Sequence, residues 1–323
     1  LAATSAIDQL RQAGLDALRD VIERFADTLD ADMDGRVPLL EQYMAQITSA
    51  LRPAFDAETP PHVKTTACHV AAEWVCSGVC ASARDLRRVL ALLTAGLEGV
   101  TGAPDAAFNE RATTMLRLAV LQAWARILTC AKEEQDSKPY LTECVAPVRD
   151  TLVKHWLDAL RDYALVSLPP EYINQVPTSG NFYFSGTCGS VRAHYETAFP
   201  TLLRAACMAA DLGDDADDKC FYLVVGLASR ALCARTERDT ATACLRALAS
   251  ALSASTRLKR DPGLAVELCG VFSCAVRTQG TSGQVGTTLL EATEPMLRGF
   301  GAVEDQATTP LKPGTSALYA ILS

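Results

Sequence analysis

Apolar residues recur every three or four positions along almost the whole chain, and short polar or glycine-containing connectors break the rhythm. That spacing places one greasy stripe on each of many successive helices, and a helix with such a stripe must bury it against another element. Little in the chain reads as a strand. The expected fold is therefore all-α, an α-solenoid of HEAT/armadillo-like antiparallel helix pairs.

The expected helices follow from the stripes and their punctuation. The first runs over about 5–29 and uses Ile7, Leu10, Gly14, Leu18, Ile22, Phe25 and Leu29 as its stripe. A second spans about 38–55 through Leu40, Tyr43, Met44, Ile47 and Leu51. Pro60 and Pro61 open a third that Gly78 can end, and 83–100 and 107–132 give a fourth and a fifth. Two pieces join at Pro147 within 138–166, and further helices fall near 188–212, 217–235, 238–255, 262–278 and 284–298. Paired, they recur on the scale of roughly 40–50 residues expected of HEAT and armadillo repeats. The reading is one continuous solenoid: helical repeats over 1–166, an irregular aromatic loop at 167–189, helical repeats over 190–298, and a less regular tail at 299–323. The chain opens at Leu1 and stops at Ser323 without an evident terminus, as a segment of a longer protein would.

Composition narrows the function. Hydrophobic residues make up 49% and charged residues 21%, the mix of a folded soluble protein, while aromatics are only 6%. A net charge of −8 argues against nucleic acid as a partner, because phosphate binding needs a basic surface. No stretch approaches the ~20 apolar residues of a membrane span. The 12 cysteines fall mostly inside apolar helical stretches and form no Cys-x-x-Cys pair, which reads as a reduced, cytosolic core.

Candidate chemistry is sparse. Asp30, Asp32, Asp34 and Gly35, with Glu41 closing the run, fit the calcium loop of an EF-hand, since alternate oxygen ligands, a sharp turn and a terminal glutamate suit Ca²⁺. Against it stand the lack of a partner loop, Pro38 at the ninth position, and the ordinary use of Asp and Gly in turns. The expectation is no cofactor, with calcium at 30–41 as the alternative. Cys68, His69, Cys76 and Cys80 cannot all reach one zinc ion from a straight helix: seven residues at ~1.5 Å rise separate His69 from Cys76 by roughly 10 Å. The four histidines, His62, His69, His155 and His194, sit beside no nucleophile elbow, and the glycines at 280, 283 and 286 lack a P-loop lysine. An enzyme is not expected.

Three further features stand out. Asp211, Asp214, Asp215, Asp217 and Asp218 form an acidic turn suited to the N-terminus of the next helix. Arg84, Arg87 and Arg88, and separately Arg257, Lys259 and Arg260, read as solvated faces or as contacts for acidic protein or lipid headgroups. The loop from Leu168 to Gly189 carries Tyr172, Phe182, Tyr183 and Phe184. These rings are expected to plug an inter-helix groove, and they are the residues expected to touch a partner if any here do.

Specific words then resemble a known family. Ala13-Gly14-Leu15-Asp16-Ala17-Leu18, Leu40-Glu41-Gln42-Tyr43, Leu51-Arg52-Pro53-Ala54-Phe55 and Asp85-Leu86-Arg87-Arg88-Val89 are similar to the HEAT repeat-containing protein five family, which includes the yeast large alpha-adaptin-associated protein. Trp74 with Ser77-Gly78-Val79, Ala123-Trp124-Ala125, Trp156-Leu157, Asp162-Tyr163-Ala164-Leu165 and Gly180 with Phe182-Tyr183 continue the likeness in order over roughly residues 10–200. The Asp ladder at 30–34 is a local departure from that family's pattern. The resemblance implies an internal part of a long cytosolic scaffold in vesicle traffic. Its implied partners are the clathrin adaptor complex of the trans-Golgi network and endosomes and accessory proteins such as aftiphilin and gamma-synergin, with membrane association only through them. Other readings are a HEAT scaffold for nuclear transport or phosphatase regulation, and a calcium-responsive regulator through the 30–41 turn.

Overall fold

A computed structural model describes residues 1–31, 37–80, 83–101, 110–167, 188–210, 212–213, 218–234, 236–253, 256–280 and 283–304. The chain forms two compact units, Leu1–Leu202 and Leu203–Ser323. Among the described residues the only β pairing is an isolated antiparallel bridge between Leu29 and Pro38. The fold is all-α and built of HEAT-type helix pairs, as the periodicity predicts.

In the first unit, α1 (Asp8–Phe25), α3 (Pro61–Cys76) and α5 (Glu110–Glu133) pack in succession, flanked by α2 (Met44–Leu51), α4 (Ala83–Thr101) and α6 (Pro139–Val145). Both α3 and α5 are buried nearly all round, through Val63, Ala67, Val70, Ala71, Trp74 and Val75 on one and Leu118, Val120, Leu121, Trp124, Ile127 and Leu128 on the other. A helix apolar on every side belongs in the middle of a stack. Small side chains set the spacing: a Cβ added at Gly96 of α4 would come within 3.2 Å of Val120 on α5. Next come α7 (Arg149–Val166) and α8 (Cys188–Ala209), the latter ending in the second unit.

The break at Pro147 is as expected, with a 3₁₀ turn at Ala146–Val148 between α6 and α7. The second expected helix is instead a 3₁₀ turn (Leu39–Tyr43), then α2, then another 3₁₀ turn (Arg52–Phe55). Proline explains both ends. Pro38 is extended where Leu29 pairs with it, and Pro53, lacking an N–H, tightens the exit from α2. The stripe on α1 also differs. Leu15 and Ile22 are buried against the array, whereas Ile7 (64% exposed), Leu10 (48%), Phe25 (42%) and Leu29 (53%) face outward. Gly14 is not a stripe filler but a crossing point: a Cβ there would lie 2.3 Å from the backbone nitrogen of Ala3, so the N-terminal turn can pass over the helix only because no side chain intervenes.

In the second unit α9 (Asp218–Cys233) packs on α10 (Arg238–Ser253) and α12 (Pro262–Gln279), and α10 packs on α13 (Gln284–Glu304), so one helix pair lies against the next. The sequence reading overlooks the single turn α11 (Arg257–Arg260). Asp261 caps α12 by accepting from the N–H groups of Gly263 (2.9 Å) and Leu264 (3.2 Å). Gly280, at φ 76°, closes the same helix in a conformation that a side chain resists. Among the described residues no helix is long and apolar enough to cross a membrane.

Candidate protein-docking groove

A groove of about 710 Å³ opens between α2 and α4. One wall is Met44, Ala45, Thr48, Ser49 and Arg52, and the other is Arg88, Ala91 and Leu92. On α2 these positions recur at the helical period and form one face, while Ile47 and Leu51 turn inward and are buried. On α4, Leu86, Val89, Leu90 and Leu93 are buried in the same way, so both walls are anchored from behind. The Cys80 thiol lies 3.6 Å from the Met44 sulfur and steadies the groove floor. Ala45, Ser49 and Ala91 are exposed and small, and Arg52 and Arg88 are exposed.

Behind the groove, polar contacts fix the helices. Glu73 on α3 pairs with Arg126 on α5 at 3.2 Å. The Lys138 ammonium donates to the Cys76 carbonyl at 2.5 Å and pairs with Glu134 at 2.7 Å, covering the carbonyl end of α3 just where Gly78 (φ 79°) turns the chain away. Cys76 and Cys130 share a thiol–thiol hydrogen bond across α3 and α5. That contact and burial push the Cys76 thiol far up, while the same contact and nearby Lys138 pull Cys130 down. The Cys130 thiol also lies 3.5 Å from the Glu134 carboxylate one turn along α5.

A second polar knot joins α5, α7 and α8. Arg117 meets the Asp162 carboxylate at 3.2 Å with both side chains largely buried, and the Tyr195 hydroxyl donates to the same oxygen at 3.3 Å. Burial pushes the Asp162 carboxyl up, against the opposing pull of Arg117 and Tyr195. Tyr163 stacks on Phe199 at 4.8 Å beside it. This knot ties the packing of the three helices.

The residues singled out from sequence scatter. Tyr172, Phe182, Tyr183 and Phe184 lie outside the described residues, as do Asp32, Asp34 and Gly35 of the acidic turn. The ends of that turn are drawn together: the Asp30 N–H donates to the Val37 carbonyl (2.8 Å) and the Leu39 N–H to the Thr28 carbonyl (2.8 Å), while Glu41 sits exposed on the following 3₁₀ turn. Cys68, His69, Cys76 and Cys80 do not converge, and among the described residues no group of His, Cys, Asp and Glu is arranged to hold a metal ion. His194 accepts from Arg111 at 3.3 Å, across α8 and α5. Arg257 departs from the reading of its basic cluster as a solvated face. It is only 7% exposed, donates to Asp218 (2.9 Å) and to the carbonyls of Leu212 and Gly213, and lies 4.7 Å from the Phe221 ring centre. Sequence reasoning missed the groove itself. Two of its lining residues were nonetheless named, Met44 in the stripe of the second helix and Arg88 among the arginines suited to acidic protein.

Comparison with known proteins fits this architecture. A family model described as the Laa1/Sip1/HEATR5 HEAT repeat region matches residues 1–165. Protein SWEETIE of Arabidopsis thaliana is 27% identical over 174 residues, 51% of this chain. The AP-1 accessory protein LAA1 of Saccharomyces cerevisiae is 30% identical over 164 residues, 49% of this chain. Each match spans 8% of the relative's own length. No solved structure matches the chain. The matched residues cover the helices from α1 almost to the end of α7, and the chain belongs to the Laa1/Sip1/HEATR5 HEAT-repeat family.

Proposed function

We propose that this chain is a non-enzymatic HEAT-repeat scaffold in adaptor-dependent vesicle traffic, holding protein partners rather than transforming a substrate. The observation that carries this reading is the pairing of a HEAT array with a relative named as an AP-1 accessory protein. Helix pairs in such arrays are rigid enough to present grooves to partner segments. The partners are adaptor-associated proteins, and the place of work is the cytoplasmic face of the trans-Golgi network and endosomes, reached through those partners. No cofactor is required. The aromatic residues Tyr172, Phe182, Tyr183 and Phe184 are a second contact for them.

Affinity purification of the tagged full-length protein from its own cells, followed by quantitative mass spectrometry, tests the reading. Enrichment of adaptor complex subunits over a matched control is expected. Recovery of transport receptors or phosphatase subunits without adaptor subunits would replace it with a scaffold for another assembly.

A further inference from the structure

The α2–α4 groove has a chemistry of its own. Its lining combines half-buried apolar Met44 and Leu92 with small exposed Ala45, Ser49 and Ala91 and the exposed Arg52 and Arg88. Among the described lining residues these two are the charged ones, and both are positive in a chain of net charge −8. Neither makes a hydrogen bond or ion pair with a described residue. Guanidinium groups left without carboxylates beside an apolar floor ask for an occupant with the opposite charge and a greasy face.

We propose that the groove between α2 and α4 receives a short, acidic, amphipathic helical segment of a protein partner, its apolar face on Met44 and Leu92 and its carboxylates on Arg52 and Arg88. The inference rests on the scaffold reading above and supplies the partner chemistry.

Size and charge both favour a peptide. From Met44 to Arg52 the wall rises through eight helical steps, roughly 12 Å or two turns. A volume of about 710 Å³ holds the few side chains on one face of such a segment and no folded domain. Small rim residues let a partner backbone approach closely, which a helix needs if its side chains are to reach the floor. A long polyanion or an anionic bilayer would meet the net −8 of the whole chain, whereas a segment two turns long lies within about one Debye length of the two arginines and feels mainly them.

A random peptide display library panned on the purified chain tests this, with selected peptides then titrated by fluorescence polarisation. Enriched sequences are expected to combine Asp or Glu with Leu, Met or Phe at helical spacing. Their binding should weaken about tenfold or more in the double variant Arg52→Glu/Arg88→Glu and fall further as salt is raised. Ala91→Trp, which fills the groove without altering charge, should abolish it. Both arginines and Ala91 are exposed, and circular dichroism would verify that each variant folds. Enrichment of neutral or basic peptides, or equal affinity for the double variant, would overturn the proposal. So would arginine-dependent pelleting with phosphatidylserine vesicles when no peptide is selected, since the surface would then be one for membrane. Adaptor recovery by the full-length Arg52→Glu/Arg88→Glu protein separates the two readings. If recovery persists without peptide binding, the scaffold stands and docks elsewhere. If peptide binding holds without adaptor recovery, the groove stands and serves another partner.

Discussion

The indole N–H of Trp156 on α7 donates to the backbone carbonyl of Leu121 on α5 at 3.0 Å, inside a fully buried contact. Trp124 on α5 points its own N–H at the Leu93 carbonyl of α4 at 3.5 Å. Each tryptophan thus ties its helix to the backbone of an earlier one, filling the interface with its ring and fixing the register with its nitrogen. A stack of helices that touch only near neighbours gains rigidity from such fixed crossings.

Replacing Trp156 separates the two contributions. Trp156→Ala should lower unfolding free energy by about 3–5 kcal/mol, the usual result of emptying a buried aromatic site. Trp156→Phe keeps much of the ring and loses the hydrogen bond, so about 1 kcal/mol more than its volume change is expected. Urea denaturation followed by circular dichroism measures both, and a Trp156→Phe loss no larger than its volume change predicts would show that the N–H has no role.

The Arg117–Asp162 pair should respond asymmetrically. Asp162→Ala strands a guanidinium whose side chain is 9% exposed, and a loss of about 3 kcal/mol is expected. Arg117→Met strands a carboxyl that burial already favours protonating, so it should cost clearly less. A double-mutant cycle should return a coupling above about 1 kcal/mol. Additive effects would mean that the two groups stabilise the fold independently.

Gly78 turns the chain at φ 79°, and a Cβ there would lie 2.8 Å from the Lys138 Cε. Gly78→Ala should therefore destabilise by about 1–2 kcal/mol, through backbone strain and through displacement of the lysine that covers the end of α3. Gly226, whose Cβ position meets nothing within 4 Å, is the matched control, because Ala in mid-helix should stabilise. A melting temperature that falls for Gly78→Ala and rises for Gly226→Ala is the expected pattern.

Stability should fall on mild acidification. Burial depresses His69, with Arg19 adding to the effect, and burial likewise depresses His155 and His194 below the ordinary 6.5. Below that value the unfolded chain takes up protons that the folded chain refuses, so stability is lost as pH drops from 6.5 toward the folded values and regained as pH rises. Melting at about pH 5.5 should lie below melting at about pH 7.5. His69→Gln should narrow the gap, and an unchanged gap would assign the effect to other groups.

The sequence determined the helices because a 3.6-residue rhythm and its stops are local properties. Pro61, Gly78, Pro147 and Gly280 mark ends or joins where the structure has them, and the family was legible in ordered words such as Asp162-Tyr163-Ala164-Leu165. Which face each helix hides was decided only in three dimensions, since burial depends on the neighbours that fall on either side. The apolar residues Leu10 and Phe25 of α1 therefore stay outside while Arg257 goes in, against simple hydropathy, because Asp218 and two carbonyls wait there to satisfy it. The groove likewise exists only because folding sets Arg52 beside Arg88, residues that share no local motif and meet when α2 and α4 take their places against the buried α3.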